Sequence, residues 1–232
     1  MLPLKLCPAA LGLILMLVFS PHPRAADTVV PEGEARELLA AIEKELGKTR
    51  TLRTRFVQEK HLAMFARPLT ADGVIYFSRP RRVRFELAAP FRSVLIVNGD
   101  KVAKYEHGAD GWARLNLPNT DAMGLVMDQI AAWMRGDFDS QSRLFELAVV
   151  KRDGNVLVQL TPKHKRFGKI IQRIELKLAP ARDRFVSVTI REPDGDYTLL
   201  RFTEETRGVD LPEGVFEITP GTPRHVLAED DE

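Results

Sequence analysis

The side chains able to do chemistry are scattered in this sequence rather than grouped. Of its five histidines, four lie beyond the first 26 residues: His61, His107, His164 and His225. None stands four positions from another, the spacing by which a helix presents two imidazoles to zinc. No G-x-S-x-G elbow exposes a serine nucleophile, and no glycine-rich loop is set to cradle a phosphate. Cys7 is the one cysteine, so thiolate metal sites and disulfides are not expected in a chain that loses its first residues. No catalytic residue, metal or cofactor is therefore expected, and the protein is read as a non-enzyme. A lipid esterase with a triad assembled only in space stands as the lesser alternative.

The beginning of the chain sets the compartment. A short start carrying Lys5 leads into an unbroken apolar run, Ala9 to Phe19, and then into small residues ending at Ala25 and Ala26. This is the layout of a secretory signal peptide over residues 1–26. The run of about 11 residues is short of the roughly 20 that cross a bilayer as a helix. Cys7 precedes the apolar run, whereas a lipid-accepting cysteine would follow it, so export to the periplasm as a soluble protein is expected, with cleavage near Ala25 or Ala26. Without Lys5 and Arg24, 32 of the 34 basic residues face 32 acidic ones. A whole-protein field that would attract nucleic acid is therefore absent, and the basic pI of about 8.7 comes mostly from the leader.

The remaining residues read as elements that must position something other than catalytic groups. Pro31 to Gly47 has Leu38, Leu39, Ile42 and Leu46 at helical spacing, charges opposite them, acids in the first turn and Gly47 as a natural C-terminal cap. From Leu52 the period changes to two. Strands are expected at Leu52–His61, Gly73–Ser78, Val83–Leu87, Arg92–Val97 and Lys101–Tyr105, with Asn98–Gly99 as a hairpin signal. In Val83–Leu87, Val83, Phe85 and Leu87 share one face and Arg84 and Glu86 the other. Trp112 to Asn119 reads as loop, and Asp121 to Arg135 as a second, largely apolar helix. Five further strands are expected over Phe145–Lys151, Val156–Thr161, Ile170–Leu178, Phe185–Glu192 and Tyr197–Thr206, with Val215–Ile218 as a candidate last edge strand.

About ten antiparallel strands cannot stay flat and should curl into a barrel or part-barrel with the helices against its inner face. The expected architecture is mainly β with helices: a single domain over residues 27–220, then a disordered acidic tail over 221–232. Met123, Met127 and Met134 lie on the second helix, and Met127, Ile130 and Met134 share a stripe. Methionine adapts to irregular apolar shapes, which suits either a ligand cavity or ordinary core filling. The clusters Arg81, Arg82, Arg84 and Lys163–Arg166 read as solvated faces or as sites for an acidic partner or lipid headgroups.

The succession Phe56–Val57–Gln58, Gly73–Val74–Ile75–Tyr76–Phe77–Ser78–Arg79–Pro80, Val83–Arg84–Phe85, Pro90, Val94–Val97, Asn98–Gly99–Asp100 and Tyr105, with EGVFEITP near the end, resembles the LolA-type periplasmic outer-membrane lipoprotein carrier family. The resemblance implies an unclosed β-barrel covered by an α-helical lid over an apolar cavity. It implies a carrier that shuttles acylated lipoproteins from an inner-membrane release complex to an outer-membrane receptor. A related binding module for another amphiphile, a free lipid or a hydrophobic biosynthetic product, is the alternative. Arg79 matches the family's lid-latching arginine and Pro80 the proline beside it. The five-donor guanidinium suits several carbonyls at once, although an ordinary turn arginine remains open. Candidate cavity residues are Phe56, Tyr76, Val83, Phe85, Met123, Met127, Ile130 and Met134. A monomer without nucleic-acid partners is expected. Arg81, Arg82 and Val83 depart from the family pattern, which often has an aromatic after Arg-Pro.

Overall fold

The computed structural model describes residues 27–88, 90, 92–115, 132, 138 and 143–224. The first helix, α1 (Glu32–Gly47), starts after Pro31, which has no side-chain cap; Glu32 and Glu34 in the first turn complement the helix dipole instead. Gly47 does not act as a left-handed cap. The helix runs through it and closes on Lys48 in the right-handed region, with the Lys48 N–H donating to Glu45 and Leu46 carbonyls.

The strands, in chain order, are β1 (Thr28–Val29), β2 (Thr51–His61), β3 (Leu69–Ser78), β4 (Arg82–Leu87), β5 (Ser93–Asn98), β6 (Lys101–Gly108) and β7 (Gly111–Leu115). They continue with β8 (Phe145–Arg152), β9 (Asn155–Pro162), β10 (Arg173–Leu178), β11 (Phe185–Arg191) and β12 (Tyr197–Arg207), with a single-turn helix α2 (Lys165–Gly168) after β9. All lie in one twelve-stranded antiparallel sheet, in the order β1-β8-β9-β10-β11-β12-β2-β3-β4-β5-β6-β7. Its ends, β1 and β7, do not pair with each other, so the barrel is not closed. Two hairpin-built leaves, β8–β12 and β2–β7, meet where β12 pairs with β2.

Two expectations about elements are corrected. Part of the expected loop after Gly111 is β7, held by pairs from Lys104–Leu115 to Gly108–Gly111. Val215–Ile218 forms no strand; it is a turn segment on the sheet surface, because its backbone is tied there by side chains rather than by a ladder. Hairpin chemistry otherwise behaves as its residues dictate. Asp153 and Gly154, both at positive φ, make the two-residue loop between β8 and β9. In the β5–β6 hairpin Asn98 pairs with Lys101, leaving Gly99 (φ +61°) and Asp100 as the loop.

Strand alternation sorts the core into two clusters. The inner face, which carries α1, gathers Ile42 and Leu46 with Phe56, Ile75, Phe77, Val83, Leu160 and Leu176 among others. Gly73 lies opposite Phe56, and a Cβ there would strike the Phe56 ring and approach the Glu86 carbonyl to 2.5 Å. That glycine lets the Phe56 ring meet the Phe85 ring, tilted by 32°, at 4.7 Å. The outer face of β3–β6 gathers Val74, Tyr76, Val94, Ile96, Ala103 and Tyr105 beneath Val215 and Phe216. This corrects the reading of Arg84 as part of a solvated basic face. Arg84 is 0% exposed, hydrogen-bonded at 2.7 Å to Glu86 and donating to the Val215 carbonyl, because the segment after β12 covers it. Tyr105 Oη donates to the Thr219 carbonyl at 2.7 Å and accepts from the Thr219 N–H at 2.9 Å, fastening the same segment.

Candidate ligand cleft and its rim

At one end of the inner face the packing opens. Leu46 and Thr49 from the end of α1, Leu52 and Thr54 from β2, and Ile75 from β3 form one wall. Phe185, Val188 and Ile190 from β11 with Leu200 and Phe202 from β12 form the other. The alternation of β2, β11 and β12 sends these side chains inward while their neighbours face out. The register shift in β12 between Phe202 and Glu204 lets Glu205 and Arg207 join the same cleft at its charged edge. The cavity within it measures about 50 Å³, and its mouth is open to solvent.

The rim is polar and internally tied. Arg207 donates to Glu205 at 2.6 Å and to the Asp183 carbonyl at 2.6 Å, and Arg184 stands 3.5 Å from Asp183 Oδ1. Two buried side-chain oxygens near it, Thr49 Oγ1 and Asp183 Oδ1, have no hydrogen-bond partner among the described residues. Arg79 reaches this end too. Its Nε donates to the Thr49 carbonyl at 2.8 Å and its N–H to the Arg50 carbonyl at 2.9 Å, so the β3–β4 turn is tied to the junction between α1 and β2. Arg79–Pro80 is a cis peptide bond.

Of the candidate cavity residues, Phe56 and Val83 are buried on the inner face and Phe85 is partly buried against them. They pack the core beside the cleft and are not among its lining. Tyr76 is corrected: one residue of alternation puts it on the outer face beneath the segment after β12. Met123, Met127, Ile130 and Met134, with the rest of the second helix except the buried Ala132, the leader and residues 225–232, lie outside the described residues. From that stretch Phe138 is described: it is buried, meets Phe185 edge-on at 6.4 Å, and its N–H donates to Glu43 on α1. The β11 and β12 lining went unnamed in the sequence reading, although the alternation of FVSVTI carried the signal.

The outer face of β8–β11 has a different character. Glu175, 3% exposed, accepts from Arg152 at 2.9 Å, Gln159 at 3.2 Å and Arg191 at 3.2 Å, with Arg173 at 3.7 Å. Burial pushes its carboxyl up, but the Arg152 hydrogen bond and the charges of Arg152, Arg191 and Arg173 outweigh that and leave it below the usual carboxylate range. Asp27, hydrogen-bonded by Arg152 and then by Gln159, is held down to about 2 against a smaller burial effect. Among the described residues no group of acidic, histidine or cysteine side chains is placed to hold a metal, and no helix is long and apolar enough to cross a membrane.

Residues 47–219 match the family model described as outer membrane lipoprotein carrier protein LolA. An outer-membrane lipoprotein carrier protein of Dechloromonas aromatica is 25% identical over 184 residues, covering 79% of this chain and 84% of the relative. One of Nitrosospira multiformis is 24% identical over 203 residues, covering 82% and 88%. Among solved structures, the Pseudomonas aeruginosa MucA/MucB complex is similar at a TM-score of 0.46 and 14% identity, covering 82% of this chain and 63% of that one. A LolA-superfamily protein of Nitrosomonas europaea is similar at 0.41 and 9%, covering 78% and 96%. Since the family match runs from the end of α1, through the strands that line the cleft, to the residue fastened by Tyr105, this chain belongs to the outer-membrane lipoprotein carrier family.

Proposed function

We propose that the protein is a periplasmic carrier that receives the acyl chains of lipoproteins in the inner-face cleft and shuttles them from inner to outer membrane. The observation that carries this reading is the cleft itself. Protein interiors are close-packed, yet here α1, β2, β11 and β12 leave an apolar cleft open to solvent. Such a space shields hydrocarbon at roughly 25 cal/mol per Å² of apolar surface removed from water, and the relatives' description as lipoprotein carriers names a cargo with that chemistry. The leader would bring the chain to the compartment where such cargo travels. Arg79 serves as a latch in this reading: its bond to the Thr49 carbonyl fixes the corner where α1 meets the sheet, so opening the cleft strains that bond.

The test is native mass spectrometry of protein purified from a periplasm. A bound triacylated peptide is expected. A bound free lipid or pigment would replace the cargo with another amphiphile, and an empty cleft that also fails to bind a solvatochromic fatty acid would overturn the carrier reading.

A further inference from the structure

Thr49 lines the apolar cleft and is 5% exposed, yet its Oγ1 has no hydrogen-bond partner among the described residues. Its backbone is fully engaged: the N–H donates to Leu46 and the carbonyl accepts from Arg79. The residue is therefore held in place while its hydroxyl is left unsatisfied. Buried hydroxyls almost always find a partner, and one left without it is destabilising. A ligand offering an acceptor at this point relieves that penalty, whereas a plain hydrocarbon leaves it standing.

We infer that Thr49 Oγ1 donates a hydrogen bond to the carbonyl oxygen of an acyl ester or amide whose hydrocarbon lies in the cleft. The site thereby selects acylated amphiphiles over oxygen-free hydrocarbons such as polyisoprenes. This rests on the carrier reading and sharpens it. Neighbouring groups agree with an acyl head at this depth. The rest of the cleft wall beyond Thr49 and Thr54 is apolar up to the charged rim. At that rim Arg207 is taken by Glu205 and Asp183, and Arg184 is paired with Asp183, so the charges balance and no strongly ionic head is required.

Two probes separate the inference from the reading beneath it. Pyrene, which has no polar atom, reports through its emission whether the apolar cleft takes a ligand at all. N-lauroylglycine methyl ester carries an amide and an ester carbonyl on a twelve-carbon acyl chain. In Thr49→Val, similar in shape but without the hydroxyl, the acyl probe should bind about three- to tenfold more weakly, pyrene should bind as before, and Thr49→Ser should restore the acyl affinity. In the unmodified protein, a 13C-labelled amide carbonyl of the bound probe should absorb at lower frequency than in hydrocarbon solvent, a readout that needs no variant. Equal acyl affinity in Thr49→Val, or a bound carbonyl absorbing as in hydrocarbon, overturns the inference and leaves the carrier reading intact. Binding of neither probe overturns both.

Discussion

The two faces of this sheet bury side chains by opposite means. The inner face is apolar and incompletely filled, and its polar groups are few: Thr49 and Thr54 in the wall, Arg184, Glu205 and Arg207 at the rim. The outer face is filled and covered over β3–β6, and it buries charge: Arg84 with Glu86 beneath the segment after β12, and Glu175 among three arginines farther along, beside an open cleft. The contrast teaches where rigidity and adaptability are placed. Hydrogen-bonded ion pairs fix geometry but tolerate no vacancy, so they hold the sheet's shape from behind. An apolar surface has no directional demands, so it can accept chains of varied shape in front.

The largest effect should come from breaking the outer face. Arg84→Met removes the buried hydrogen bonds to the Glu86 carboxylate and to the Val215 carbonyl, which should lower unfolding stability by about 3–5 kcal/mol. Urea denaturation measures it; a loss below about 1 kcal/mol would mean that water reaches the pair. Acyl-probe affinity per folded molecule should not change, which is what separates the two faces.

Arg79→Leu tests the corner between them. Losing a charge-assisted hydrogen bond to the Thr49 carbonyl should destabilise by about 1.5–3 kcal/mol while leaving the fold intact by circular dichroism. Cargo should be accepted and then handed poorly to receptor-bearing outer membranes. Normal transfer by the folded variant would reduce Arg79 to a turn residue.

Ile190→Glu attacks the cleft. A carboxylate set among Val188, Leu200 and Phe202 should weaken an acyl probe by roughly tenfold or more, with a smaller change in melting temperature, since Ile190 is only partly buried. Unchanged affinity in a folded protein would place the ligand elsewhere.

The mildest lever is pH. Asp27 and Glu175 have depressed folded-state carboxyls, so they contribute stability that is present above the unfolded carboxylate range near pH 4 and lost as pH falls through the folded values, about 2 for Asp27. Solvent screening of the partly exposed Asp27–Arg152 pair keeps its share under about 1 kcal/mol. Arg152→Gln should flatten the stability profile between about pH 4 and pH 2; an unaltered slope would assign acid loss to other carboxylates.

How much of this was legible depended on whether a neighbour in sequence or in space decided it. The period-two pattern and the turn pairs placed most strands within a few residues, because hairpin partners are adjacent in the chain. Gly73 was visible as a motif residue, and its reason, the Phe56 ring across the ladder, follows from register. Tyr76 and Arg84 were misread for a common cause. Alternation says which residues share a face but not which face is the inner one, nor that residues more than a hundred positions later will cover the other. The cleft lining on β11 and β12 was hidden likewise, since only the β12–β2 pairing brings those strands to α1.

That pairing also sets an order of assembly. Thr51 Oγ1 donates to the Val209 carbonyl across 158 residues, and Tyr105 meets Thr219 across 114. During synthesis β2–β7 can fold as successive hairpins, but β2 keeps an open ladder edge and Val74, Val94 and Ile96 keep a bare apolar surface until β12 and the segment after it have emerged. Such long closures are slow, and open edges with apolar surface invite misassociation. The nascent protein therefore passes through a half-built state that resembles an unloaded acceptor on the wrong side of its own sheet, and a chain cut before Val215 would be arrested there.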